Sequence, residues 1–277
     1  MALLEVKDVR RNFGGLVAVN QVSFQVVPGR IKAIIGPNGA GKTTLFNIIS
    51  GLLKPDTGRI TFKDRGITGF KPYQIAGAGI SRTFQNPCLF LRMNVLENVM
   101  VGRHSRSHWG FTACCLRFGG QPGEERSIRD AALAQLDRVG LAHLAGSPAG
   151  ALSFGQRRMV ELARALATGP ELLLLDEPAS GLNTGEKEKL AALIRCICDQ
   201  GITILLVEHD MTVVMDLSDD ILVLHNGTLI AEGPPAAIQN DPEVISIYLG
   251  GEFRPREEVE LAMITGRASN VIAGQKS

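Results

Sequence analysis

One unbroken run of residues carries the densest chemical signal in this chain. Gly36, Pro37, Asn38, Gly39, Ala40, Gly41, Lys42 and Thr43 read G-x-x-x-x-G-K-[ST], directly after the apolar stretch Ile31–Ile35. A loop this rich in glycine can turn its backbone N–H groups inward around an anion. Side chains at Gly36, Gly39 or Gly41 would crowd phosphates or resist the required dihedrals. Lys42 is placed to meet the β- and γ-phosphates of a nucleoside triphosphate, and the Thr43 hydroxyl to hold Mg²⁺. The helix that begins here, with Thr44 in its first turn, points its positive end at the same phosphates.

A second site of chemistry follows the apolar stretch Leu172–Leu175, which ends in Asp176 and Glu177. A carboxylate at the C-terminal end of a buried strand sits on the sheet edge where ligands bind. Asp176 suits a Mg²⁺ contact and Glu177 suits orientation or deprotonation of an attacking water; hydrolysis needs both a metal clamp and a positioned nucleophile. A third candidate is Leu152-Ser153-Phe154-Gly155-Gln156, which precedes an amphipathic segment from Arg157 to Ala167. Ser153, Gly155 and Gln156 at a helix N-terminus form a group that donates hydrogen bonds to anions, or a plain helix cap.

These residues need a scaffold. With 277 residues, 45% of them apolar and 21% charged, the chain can bury a sizeable core of ordinary soluble composition. The net charge of +1 gives no bulk attraction to nucleic acid. The longest apolar runs, such as Ile202–Val207, suit buried parallel strands and not membrane spans. The N-terminus lacks a signal-peptide layout. Five cysteines without metal-ligand spacing read as reduced thiols in cytosol. Residues 1 to 28 look β-rich, and Gly58–Phe62 reads as a strand after a Pro-Asp-Thr-Gly turn. From about Pro87 to Ala167 strand signals vanish. That middle part is expected to be helical, with an irregular stretch from Arg103 to Glu125 around Trp109. From Glu171 onward strands and helices alternate, closing on a hairpin around Asn226-Gly227. Alternation of this kind implies an α/β fold with a parallel sheet.

Taken together, G-P-N-G-A-G-K-T, L-S-F-G-Q, L-L-L-L-D-E-P and V-E-H-D resemble the ATPase subunits of ABC transporters, over residues 3 to about 250. Phe154 stands where that family's L-S-G-G-Q signature has its first glycine. The resemblance implies a P-loop core with a parallel sheet, an N-terminal antiparallel β subdomain and an inserted helical subdomain near 88–165. It places an ATPase domain at 1–252 and a tail at 253–277, expected to be flexible. It also implies ATP and Mg²⁺ as ligands. Gln85 matches the glutamine that senses Mg²⁺ and the attacking water, and His209 the histidine that contacts the γ-phosphate. Phe13 matches the position of an aromatic that stacks on adenine, where the family more often has Tyr; a core Phe is the competing reading. Ser180–Asn183 matches the loop crossing to a second subunit, with Asn183 in place of the usual Asp.

Such ATPases act as head-to-tail dimers, each nucleotide lying between one chain's P-loop and the other's signature. Partners implied are a second ATPase subunit, transmembrane permease subunits, and, indirectly, a periplasmic binding protein. Permease contact is expected around Gln85–Asn94 and the helical lobe, with Leu89, Phe90 and Leu91 as an apolar dock. Several strings look like the branched-chain amino acid importers and their urea or amide relatives: Leu45–Gly51, Arg82–Pro87, Leu96–Gly102, Ser180–Asn183 and the ending Ile247–Gly250. The expected location is the cytoplasmic face of the inner membrane, as a peripheral subunit. A lipid-exporter ATPase and a soluble scaffold-type ABC ATPase are the other readings.

Overall fold

The structure, a computed structural model, describes residues 1–104 and 121–248. Trp109, most of the Arg103–Glu125 stretch, Leu249 and Gly250, and the tail 253–277 lie outside the described residues. In chain order the elements are β1 (Leu4–Phe13), β2 (Leu16–Val26), β3 (Ile31–Ile35), α1 (Lys42–Ile49), β4 (Thr57–Phe62), β5 (Arg65–Gly66), α2 (Pro72–Ala78) and β6 (Ile80–Arg82). Next come α3 (Val95–His104), α4 (Gln121–Arg138), α5 (Phe154–Ala167), β7 (Leu172–Asp176), α6 (Thr184–Asp199) and β8 (Thr203–Val207). The chain then runs through α7 (Met211–Leu217), β9 (Asp220–His225), β10 (Thr228–Gly233), α8 (Pro235–Gln239) and α9 (Pro242–Tyr248).

Two sheets form. The larger has the order β10-β9-β3-β8-β7-β6 and the smaller β2-β1-β4-β5. In the larger, β9, β3, β8, β7 and β6 run parallel, and β10 closes an antiparallel hairpin on β9. Every residue of β3, β7 and β8 is buried, as a mainly aliphatic strand covered on both faces requires, and the Lys32 within β3 is paired with Asp220. The smaller sheet is antiparallel throughout. The hairpin turn expected at Asn226-Gly227 is present, both residues taking positive φ (48° and 78°), the pattern of a two-residue type I′ turn.

One apolar core fills the space between β1, β2, β4 and one face of the large sheet, with Phe46 of α1 at its centre. A second covers the opposite face, where Leu173, Leu175, Leu206, Ile194 and Leu166 meet. A third belongs to the helical lobe and contains Val95, Val99, Leu136 and Val160. Helix α5 joins the last two, because Leu162 and Leu166 face the sheet while Val160 and Ala163 face the lobe. The helical middle expected from the sequence is therefore a packed lobe pinned to the sheet by the helix that follows Ser153. The strand β6 and the short helix before it had no clear sequence signal. Replacing the wholly buried Leu173 by Ala should lower stability by about 2–5 kcal/mol, read as a fall in urea midpoint at unchanged slope.

Candidate nucleotide site at the strand ends

Parallel pairing brings the candidate residues together. Strands β3, β8, β7 and β6 are consecutive neighbours, so all four C-terminal ends lie on one edge. The Gly36–Thr43 loop leaves β3, His209 follows β8, Asp176 and Glu177 end β7, and Gln85 follows β6. In register, Asp176 pairs with Val207 and Leu174 with Arg82.

The loop is a cradle built from backbone. Gly36 (φ 150°) lies so close to β9 that a Cβ there would stand 2.1 Å from the Leu224 carbonyl oxygen. Gly41 (φ 99°) approaches β2, where a Cβ would meet the Ala18 carbonyl oxygen at 2.3 Å. Ala40 O accepts from Gly227 N (3.1 Å), tying the loop to the β9–β10 turn. Asn38 and Gly39 form the exposed crest. No side chain caps the N-terminus of α1, so its first N–H groups are left for an anion. Lys42 is buried and its Nζ donates to the carbonyls of Gly36 (2.6 Å) and Pro37 (3.1 Å). Burial pushes its pKa down, while the charges of Glu177 and Asp176 oppose that shift. Lys42 thus lies within the field of both carboxylates, while Thr43 is exposed and Thr44 half-buried in the first turn of α1.

Glu177 takes a left-handed conformation (φ 47°), uncommon for a residue other than glycine. Neighbours on several sides hold it there. Its N–H donates to Val207 O (2.8 Å), and its carbonyl accepts from Arg158 Nη1 (2.7 Å) and Ser180 N (3.2 Å). Its carboxylate accepts from Gln85 Nε2 (2.8 Å) and has His209 Nδ1 at 3.7 Å. His209 itself is 57% exposed, facing the open edge. Strain sustained by this many contacts is a mark of functional sites. Asp176 is buried and paired with Arg82 Nη2 at 2.7 Å; Arg82 also donates to Asn47 Oδ1 and Ser50 Oγ in and beside α1.

Ser153 caps α5 in a mutual pair with Gln156: Ser153 Oγ accepts from Gln156 N (3.3 Å) and Gln156 Oε1 from Ser153 N (2.9 Å). The cap expected from the sequence is real. Ser153, Gly155 and Gln156 also line a cleft of about 500 Å³ together with Leu182, Glu186 and Lys189. That cleft is a separate feature from the strand-end edge.

Comparison with known proteins bears directly on this constellation. Residues 19–180 match the family described as ABC transporter, and residues 228–254 match one described as branched-chain amino acid ATP-binding cassette transporter. The Escherichia coli (strain K12) high-affinity branched-chain amino acid transport ATP-binding protein LivG is 43% identical over 249 residues, covering 90% of this chain and 98% of that protein. The chain belongs to the ABC transporter family, as an ATP-binding domain with ATP hydrolysis as its activity. Among solved structures, the ADP conformation of MJ1267, an ATP-binding cassette of an ABC transporter, superposes with a TM-score of 0.80 at 35% identity, over 91% of this chain and 100% of that one. The dimeric structure of MJ0796, a bacterial ABC transporter cassette, superposes at 0.72 with 26% identity, over 84% of this chain and 98% of that one.

In this ABC ATPase the remaining sequence candidates fall at the surface. Phe13 is 44% exposed at the end of β1 with the Arg11 guanidinium 5.0 Å from its ring centre, so it is not a core residue. Phe90 and Leu91 are exposed, whereas Leu89 turns inward onto the helical-lobe core, which removes it from the expected apolar dock. Sequence reasoning passed over Arg82, Arg158 and Glu208. Glu208 is fully buried; its carboxylate accepts from Ala179 N (2.7 Å) and His209 N (3.1 Å), fixing the loops that follow β7 and β8. Burial raises its pKa. Its position directly before His209 was the available signal. Gly36→Ala should abolish nucleotide binding through the clash with Leu224, and Lys42→Ala should weaken it at least about tenfold, both measured by titration with a fluorescent ATP analogue.

Proposed function

We propose that this chain energises a branched-chain amino acid importer by hydrolysing ATP on the cytoplasmic face of the inner membrane. The observation that carries the reading is the meeting of Lys42, Glu177, Gln85 and His209 at one strand-end edge, in a chain 43% identical to LivG across nearly its whole length. Residues 1–252 act as the ATPase domain, the lobe at about 88–165 as its helical insert, and 253–277 as a tail.

Each side chain has a task. The Gly36–Thr43 backbone and Lys42 bind the phosphates, and Phe13 receives the adenine ring. Glu177 takes a proton from the attacking water, with Gln85 holding one carboxylate oxygen in place and His209 standing beside the γ-phosphate. Thr43, Gln85 and Asp176 would hold Mg²⁺, which neutralises phosphate charge when bound. The single carboxylate pairing of Asp176 with Arg82 leaves its other oxygen for that role. Glycine cradle, uncapped helix start and buried ammonium all fit a triphosphate.

A lone cradle leaves the outer face of the γ-phosphate in water. The start of α5, with Ser153, Gly155 and Gln156, covers it from a second ATPase subunit arranged head to tail, as the dimeric MJ0796 cassette makes feasible. Motion reaches permease subunits through the exposed Phe84, Phe90 and Leu91. A periplasmic binding protein delivers solute to those permeases.

Glu177→Gln should slow hydrolysis at least about a hundredfold while ATP still binds; unchanged turnover would remove Glu177 from the chemistry. Ser153→Arg should abolish turnover without loosening ATP on its own cradle, and loss of that binding would place the signature in the same site. In vesicles holding the permeases, ATP should drive uptake of labelled leucine; uptake of a different solute in its place would overturn the substrate class.

A further inference from the structure

We propose that Arg158 is a positioning residue that ties the Gln85–Glu177 pair of one nucleotide site to the helix start that closes over the other. The proposal rests on the head-to-tail dimer described above. Arg158 lies in the second turn of α5, just behind the Ser153 cap. Its side chain is buried and forks: Nη1 donates to Glu177 O (2.7 Å) and Nη2 to Gln85 O (3.0 Å). Those two carbonyls belong to different strand ends, one after β7 and one after β6. The same two residues are joined again by Gln85 Nε2 and the Glu177 carboxylate, at 2.8 Å. A closed circuit results, running from guanidinium to backbone to side chain and back.

The circuit has a fixed orientation. Phe154, at the first position of α5, has its ring centre 4.9 Å from the Arg158 guanidinium carbon, and an edge of that ring lies beside Gly181. A planar fork stacked on an aromatic can turn very little, and a lysine ammonium cannot satisfy two diverging carbonyls from one rigid plane. Arg158 Nε has no hydrogen-bond partner, so the side-chain hydrogen bonds of Arg158 come from its two terminal nitrogens. Burial pushes the pKa of Arg158 down, and the carboxylates of Glu161, Glu208 and Glu177 oppose that shift. The bridge lands on the residue that most needs support: Glu177 holds a left-handed backbone, and Arg158 is one of two donors to its carbonyl. Any tilt of α5, as Ser153 and Gly155 engage a nucleotide on the opposite subunit, therefore moves the carbonyls of both Gln85 and Glu177. Hydrolysis in one site becomes responsive to closure over the other.

The test uses the full chain. ATP turnover is followed in steady state, binding by titration with a fluorescent ATP analogue, and folding by thermal melting, for Arg158→Met, Arg158→Lys, Gln85→Ala and Arg158→Met combined with Gln85→Ala. Arg158→Met should lower kcat about ten- to a hundredfold with KM and analogue affinity within about twofold of the wild type. Arg158→Lys should recover part of the loss. Arg158→Met should cost little in the Gln85→Ala background, because both changes open the same circuit. Unchanged kcat, losses that multiply fully in the double variant, or a KM that rises in step would each overturn the proposal. If Arg158→Met does not fold, Phe154→Leu, which removes the stacked ring, should show the same kcat loss in weaker form at steady KM, and an unaltered kcat would again count against it. The dimer reading fails separately: Ser153→Arg with wild-type turnover sinks it whatever Arg158→Met does. Ser153→Arg inactive beside a fully active Arg158→Met sinks only the role of Arg158.

Discussion

The hydrogen-bonded ladder through β3, β8 and β7 is the constraint on which everything else rests. Its three strands come from residues 31–35, 172–176 and 203–207, far apart in the chain, yet each is wholly buried and each must pair in one register. A slip of one residue would turn the core-facing side chains of a strand to its other face and move Asp176 out of line with Val207. Because both faces are buried, the cost of that slip lies in packing, as side chains of different shape would meet space fitted to their neighbours. Precision at the strand ends is thus a by-product of packing in the strand middles.

Polar order at the edge is maintained by groups that are largely withdrawn from solvent. Arg82 links Asp176 to α1, Arg158 links Glu177 to Gln85, and Glu208 gathers the N–H groups of Ala179 and His209. Each is a buried charge with several partners, the condition under which such a group is tolerated. They give the exposed residues a stiff frame: His209 and Gln85 lie open at the surface, while the atoms behind them are locked.

Much of this was legible in the sequence. The cradle could be read residue by residue, because glycine, lysine and threonine at fixed spacing answer directly to dihedral and phosphate requirements. The buried strands were visible as aliphatic-rich runs, and the Asn226-Gly227 turn by its two residues tolerant of positive φ. What stayed hidden depends on long-range geometry. Nothing local in Arg158-Met159-Val160 distinguishes a guanidinium aimed at two carbonyls from one lying on a helix surface. Leu89 and Phe90 are adjacent and both apolar, and only the position of the lobe decides that one turns in and the other out. The edge strand β6 is three residues long and gains its strand character solely from β7 beside it.

The turn at Asn226-Gly227 bonds to the cradle from behind, through Gly227 N to Ala40 O, and to β2 through Asn20 N to Gly227 O. It splints a glycine-rich segment that would otherwise sample many shapes. The conformational entropy that such a segment forfeits on gripping its ligand is already surrendered when the chain folds. Affinity for the triphosphate is consequently supported by a hairpin bonded to the back of the cradle and made by the last quarter of the chain.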